Sequence, residues 1–146
     1  MTETDSIHQA PPDVRRIRDL IPEDLIALYK HAGWLENHEE AGTQWVKELL
    51  SGSLCCYGAF HDGRLVGFGR AISDGVSDAY IQDVVVLEDF RNAGLGTGIV
   101  KAILDELRSR KIQWIGLIST PGSAAFYRRL GFSTLTGHIP MRFVVD

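Results

Sequence analysis

Residues 91–104 read RNAGLGTGIVKAIL. Gly94, Gly96 and Gly98 stand directly ahead of Ile99, Val100, Ile103 and Leu104, whose spacing, continued by Leu107, marks one face of a helix. Just upstream, AYIQDVVVL (79–87) reads as a strand, and its unalternating VVV centre predicts burial on both faces. The unit is therefore strand, glycine turn, helix. A helix start offers backbone N–H groups without intrahelical partners, at the positive end of the helix dipole. Glycines there keep side chains away, which suits a pyrophosphate. Arg91 adds a cation at the mouth and Thr97 a hydroxyl. Turn chemistry alone also accounts for glycine at such a position.

The spacing excludes two common phosphate loops. A dinucleotide fold requires G-x-G-x-x-G, and Ile99 occupies the place of its last glycine. A P-loop requires G-x-x-x-x-G-K-S/T, and no Lys-Ser or Lys-Thr follows these glycines.

Outward from this unit, VRRIR (14–18) alternates as a strand does. A helix is expected from Pro22, with Leu25, Ile26, Leu28 and Tyr29 on its apolar side and Gly33 ending it. A second helix is marked by Trp45, Val46, Leu49 and Leu50. LCCYGAF and HDGRLVGFGRAI are two strands joined at Asp62-Gly63, a strong hairpin signal. Downstream come a strand, IQWIGLI (112–118), and a short helix, GSAAFYRRL, stopped by Gly131. FSTL (132–135) and MRFVV (141–145) are expected as closing strands. The order β-α-α-β-β-β-α-β-α-β-β makes one α/β domain, an α+β mixed sheet with antiparallel strands first and a βαβ crossover in the middle. Residues 1–12 are polar, end on Pro11-Pro12 and are expected to be a loose tail, with the domain over 13–146.

The chain has 146 residues and a formal net charge of -4, which gives no electrostatic footprint for nucleic acid. The basic strip Arg108–Lys111, with Arg128 and Arg129, lacks interleaved aromatics and suits helix C-termini. No apolar run is long enough to span a membrane, and the first residues form no leader, so a cytoplasmic location is expected. Cys55 and Cys56 are adjacent, a geometry that strains a disulfide, and no metal-ligand spacing is present, so no metal is expected.

These motifs together resemble the GNAT superfamily of N-acetyltransferases, in its small, single-domain, bacterial-type form. Arg91, Gly94 and Gly96 match its Arg/Gln-x-x-Gly-x-Gly/Ala signature, and both IQDVVVLEDFR (81–91) and FYRRLGF (126–132) resemble family segments in the family's order. The resemblance covers Val14 to Val145. It implies the acyl-CoA N-acyltransferase fold and acetyl-CoA as cosubstrate. Arg91, Asn92, Ala93, Gly94, Leu95, Gly96, Thr97 and Gly98 would then hold the pyrophosphate of coenzyme A. Val84, Val85 and Val86 would lie beside the pantetheine arm, on a strand edge opened by a bulge and a splay. A backbone N–H of Val85 or Val86 would polarise the acetyl carbonyl. Tyr127 would protonate or hydrogen-bond the departing thiolate, with Phe126, Thr120 and Ser123 against the cofactor. Thr120 departs from the family's frequent Asn, and Ser123 from its common Ala. Spacing alone favours a core role for Tyr127, since it shares a helical face with Phe126 and Leu130, and only the resemblance reverses that reading.

An alkylamine with a pKa of about 10.4 is mostly protonated at neutral pH, so its proton must be removed. Asp83, flanked by Ile81, Val84 and Val85, is the candidate base; a solvent-facing or loop-tying carboxylate is the alternative. Trp34, His38 and Tyr80, with Asp83, are the candidate acceptor residues. The expected reaction is direct attack of a primary amine in a ternary complex. The acceptor is a small-molecule amine, with a protein lysine or N-terminus as the other option. Edge strands near the C-terminus allow a homodimer. The competing class is a non-catalytic acyl-CoA-binding or sensor domain. Tyr127 argues against it, because a sensor needs no proton donor at sulfur.

Overall fold

A computed structural model describes residues 13–35 and 42–146. Five strands form one sheet in the order β1-β2-β3-β4-β5. They are β1 (Asp13–Arg16), β2 (Cys55–His61), β3 (Arg64–Ser73), β4 (Asp78–Val86) and β5 (Trp114–Gly116). The first four pair antiparallel in succession, and β5 pairs parallel with β4. The helices are α1 (Pro22–His31), α2 (Gln44–Gly52), α3 (Leu95–Ser109) and α4 (Ala124–Arg129). A short 3-10 turn, Glu88–Phe90, links β4 to the glycine loop.

Local chemistry explains several boundaries. Pro22 occupies the start of α1, where its missing N–H costs nothing. Asp62 and Gly63 both have positive φ, as a two-residue hairpin turn with primed geometry requires. Gly131 follows α4 at φ +101°.

The sheet separates two apolar layers. On one face α3 presents Ile99, Val100, Ile103 and Leu107, all fully buried. Burying each side chain of this size contributes roughly 1.5–3 kcal/mol. On the other face α1 and α2 bury Leu25, Leu28, Tyr29 and Val46 against Phe68 and Leu65. Strand alternation sends the adjacent Cys55 and Cys56 into opposite layers. Gly69 lets α3 lie close on β3: a Cβ there would stand 2.7 Å from Ile99 Cγ2. Arg16 of β1 is locked to α3, with its Nε 2.6 Å from Glu106 Oε1, which also accepts from the Tyr57 hydroxyl at 2.9 Å. Among the described residues no helix is long and apolar enough to cross a membrane.

The α+β class and the element order hold through α4; the two closing strands do not form. Residues 133–146 carry no strand and are exposed throughout, Ile139 at 79% and Phe143 at 88%. Residues 139, 141, 143 and 145 alternate as a strand would, but a strand exists only through a partner's ladder, and periodicity cannot supply one. The IQWIGLI strand likewise shortens to Trp114–Gly116.

Candidate active site

The site begins at a break in the β3–β4 ladder. Phe68 pairs with Val85 and Arg70 with Gln82, so Asp83 and Val84 together oppose Gly69 alone. This is a β-bulge on β4, which turns the strand. Asp83 takes the left-handed conformation, φ +56°. A non-glycine residue reaches that region at a cost of about 1 kcal/mol or more. Two donors converge on one of its oxygens: Tyr29 Oη lies 2.7 Å and Arg70 Nε 2.6 Å from Asp83 Oδ2. Arg70 is held in turn by Ser53, its Nη1 donating to Oγ at 3.3 Å. Burial, then the Asp83 charge, pushes the Tyr29 phenol far above its ordinary range, so it stays a neutral donor.

Beyond the bulge the sheet splays. β4 pairs with β5 only at Asp78, Ala79 and Tyr80. From Ile81 to Val86 the second edge of β4 has no strand partner among the described residues, which leaves backbone groups available on that side.

The start of α3 faces this opening. Gly94 caps it at φ +79°, and the first intrahelical bond runs from Gly98 N to Gly94 O at 2.9 Å. The N–H groups of Leu95, Gly96 and Thr97 precede that bond, and neither an acidic residue in the first turn nor a capping side chain engages them. A Cβ on Gly96 would lie 3.4 Å from Phe126 Cζ and 3.7 Å from Val86 Cγ2. The glycine thus lets α3, α4 and the end of β4 pack closely at this point. Asn92 is left-handed at φ +63°, and Ala93 packs on the α3 layer. Arg91 reaches back, with Nε 3.2 Å from Val86 O and Nη2 3.4 Å from His31 Nε2. These contacts hold Arg91 between the end of β4 and α1.

α4 supplies the phenol. Ser123 precedes it, with its Oγ 2.9 Å from Thr120 Oγ1. Tyr127 is half-buried and edge-on to Phe126 at 4.9 Å and to Phe132 at 5.7 Å between ring centroids. Burial pushes its phenol up, so it remains protonated at neutral pH.

The acceptor residues are only partly assembled. Trp34 is 39% exposed and edge-on to Tyr29 at 5.2 Å, with Trp45 at 5.6 Å from the same ring. The aromatic cluster thus sits on the tyrosine that binds Asp83. Tyr80 instead lies in the paired half of β4, packed on Trp114 at 5.1 Å. His38 lies outside the described residues. Sequence reasoning missed Tyr29, Arg70 and His31 as site residues. Tyr29 reads as apolar helix face and Arg70 as the polar face of a strand, and their spacing to Asp83 carries no local signal. The buried thiols take no part: burial pushes Cys55 up to about 12, which keeps it a neutral thiol.

Comparison with known proteins agrees with this fold. The profile of the Acetyltransferase (GNAT) family matches residues 15–132. An uncharacterized N-acetyltransferase, ycf52, of Gracilaria tenuistipitata var. liui is 34% identical over 115 residues, 76% of this chain and 61% of that protein. Serotonin N-acetyltransferase 2, chloroplastic, of Oryza sativa subsp. japonica is 34% identical over 95 residues, 65% of this chain and 44% of that protein. The chain thus matches about half of the length of these relatives. A GNAT-family acetyltransferase from Streptococcus pneumoniae TIGR4 superposes with a TM-score of 0.74 at 25% identity, covering 92% of this chain and 98% of that one. The fold, the glycine-capped helix and the family match together establish that this chain belongs to the GNAT family of acetyltransferases.

Proposed function

We propose that this protein moves an acetyl group from acetyl-CoA to a primary amine by direct attack in a ternary complex. One observation carries the reading: the unpaired edge of β4 runs up to the uncapped start of α3, with Tyr127 on the neighbouring helix. The uncapped N–H groups of Leu95, Gly96 and Thr97 suit a pyrophosphate. The free edge at Val84–Val86 suits an amide-bearing arm paired as an added strand. A backbone N–H of Val85 or Val86 polarises the acetyl carbonyl. The amine nitrogen then bonds the acetyl carbon and the carbon–sulfur bond breaks. Tyr127, kept neutral by burial, donates its proton to the departing sulfur. Asp83 is assigned the amine proton, at Oδ1, the oxygen that neither Tyr29 nor Arg70 engages.

The acceptor side favours a cationic amine on an aromatic body. A carboxylate stands beneath Tyr29, and Trp34 offers an exposed ring on the same cluster. The rice relative's name, a serotonin N-acetyltransferase, points the same way. The test is thiol release from acetyl-CoA across arylalkylamines, polyamines, aminosugars and lysine peptides, with a no-acceptor control. Release with arylalkylamines supports the full reading. Release with another class retains the transferase and replaces the acceptor. Acetyl-CoA binding with no release from any amine would favour the sensor class.

A further inference from the structure

Asp83 is a non-glycine residue in the left-handed region at the centre of the bulge, and two side chains from different elements grip the same carboxylate oxygen. The grips stand on either side of the break. Arg70 pairs with Gln82, the residue before the bulge. Tyr29 comes from α1 and packs edge-on, at 6.2 Å, against Phe68, which pairs with Val85 beyond it. Tyr29 is buried, and Arg70 is tethered to Ser53, so neither donor is free to swing away. Only this region of β4 has lost its β5 partner, so the neighbouring strand does not hold its course.

We infer that Arg70 and Tyr29 are positioning residues for the acetyl-CoA site. By holding the Asp83 carboxylate they keep its backbone left-handed, and so keep the bulge that presents the Val84–Val86 edge. This rests on the reading of that edge as the cofactor's seat. It is separate from proton transfer, because it acts on cofactor binding before any amine arrives.

Calorimetric titration with acetyl-CoA separates the two roles. Glycine adopts positive φ without a steric penalty, so Asp83→Gly removes the carboxylate but retains the bulge. Asp83→Ala removes the carboxylate and leaves a residue that resists the conformation. The expected result is that Asp83→Ala, Tyr29→Phe and Arg70→Met each weaken acetyl-CoA binding, by up to roughly tenfold, the factor the left-handed penalty allows. Asp83→Gly binds within about twofold of wild type, and adding Tyr29→Phe to it costs nothing more. General destabilisation would not be rescued by glycine in this way. If Arg70→Met does not fold, Tyr29→Phe, which removes one hydroxyl, carries the test with Asp83→Gly. Equal loss in Asp83→Gly and Asp83→Ala, or undiminished affinity in Tyr29→Phe, would overturn the inference and leave the cofactor site standing. A wild-type chain that binds no acetyl-CoA would overturn both.

Discussion

Gly96 at the start of α3 packs against Phe126 of α4: a Cβ on the glycine would sit 3.4 Å from the ring's Cζ. That separation is ordinary contact for one carbon and too short for a branched side chain. Gly96→Val should therefore abolish measurable acetyl-CoA binding, because its methyls collide with Phe126 and Val86 and push α4 and the end of β4 away from the start of α3. Calorimetry reads this directly, and unchanged affinity would remove the pyrophosphate from the start of α3.

Tyr127→Phe retains the ring and its edge-on contacts with Phe126 and Phe132. It deletes only the hydroxyl, the proposed proton donor. kcat should fall by roughly 100-fold, the lower range for a general acid, with acetyl-CoA affinity nearly unchanged. Thiol-release kinetics and a binding isotherm provide the two numbers. Wild-type turnover in the variant would return Tyr127 to a packing role.

Glu106 couples stability to pH. Its hydrogen bond to Arg16 is the leading cause that lowers its carboxyl from 4.5 to about 2, with Tyr57 and Arg110 adding to it and burial opposing it. The folded value lies below the unfolded one, so the stabilisation is complete above about pH 5 and is lost as pH falls towards 2. The full effect is on the order of 2–3 kcal/mol. Urea midpoints measured from pH 7 to pH 3 should fall steadily in wild type. In Glu106→Gln they should start lower and show a shallower decline; parallel curves would show that another group sets the acid sensitivity.

Ile103→Ala opens a space beneath the centre of β3. The Ile103 side chain is fully buried, and its Cδ1 reaches within 3.3 Å of where a Cβ on Gly69 would stand. A loss of about 2–5 kcal/mol is expected from removed burial and an unfilled cavity. Chemical denaturation measures it, and a loss below about 1 kcal/mol would mean that α3 resettles onto the sheet.

How much of this was legible beforehand divides by sequence distance. The Asp62-Gly63 hairpin, the Pro22 start of α1 and the left-handed Gly131 after α4 are each set by chemistry within a few residues. The apolar periodicity of residues 99–107 likewise marks α3 and its buried face without reference to any partner. The amides at the start of α3 could therefore be picked out from residue order, whereas only the family resemblance singles out Tyr127, because its spacing reads as core; the chemical roles of both rest on the proposed function.

The anchoring of Asp83 could not be read in this way. Tyr29 lies 54 positions and Arg70 13 positions away, and neither spacing marks a contact. The bulge is a mismatch between two strands, so no property of β4 alone contains it. The closing strands show the converse: residues 132–135 and 141–145 read as strands, yet no ladder forms there. Sequence by itself determined the local conformations, because turns, caps and helix faces depend on side chains a few residues apart. Only the tertiary structure decided which strands found partners and which carboxylate was gripped, because those choices depend on hydrogen bonds between segments that the chain brings together when it folds.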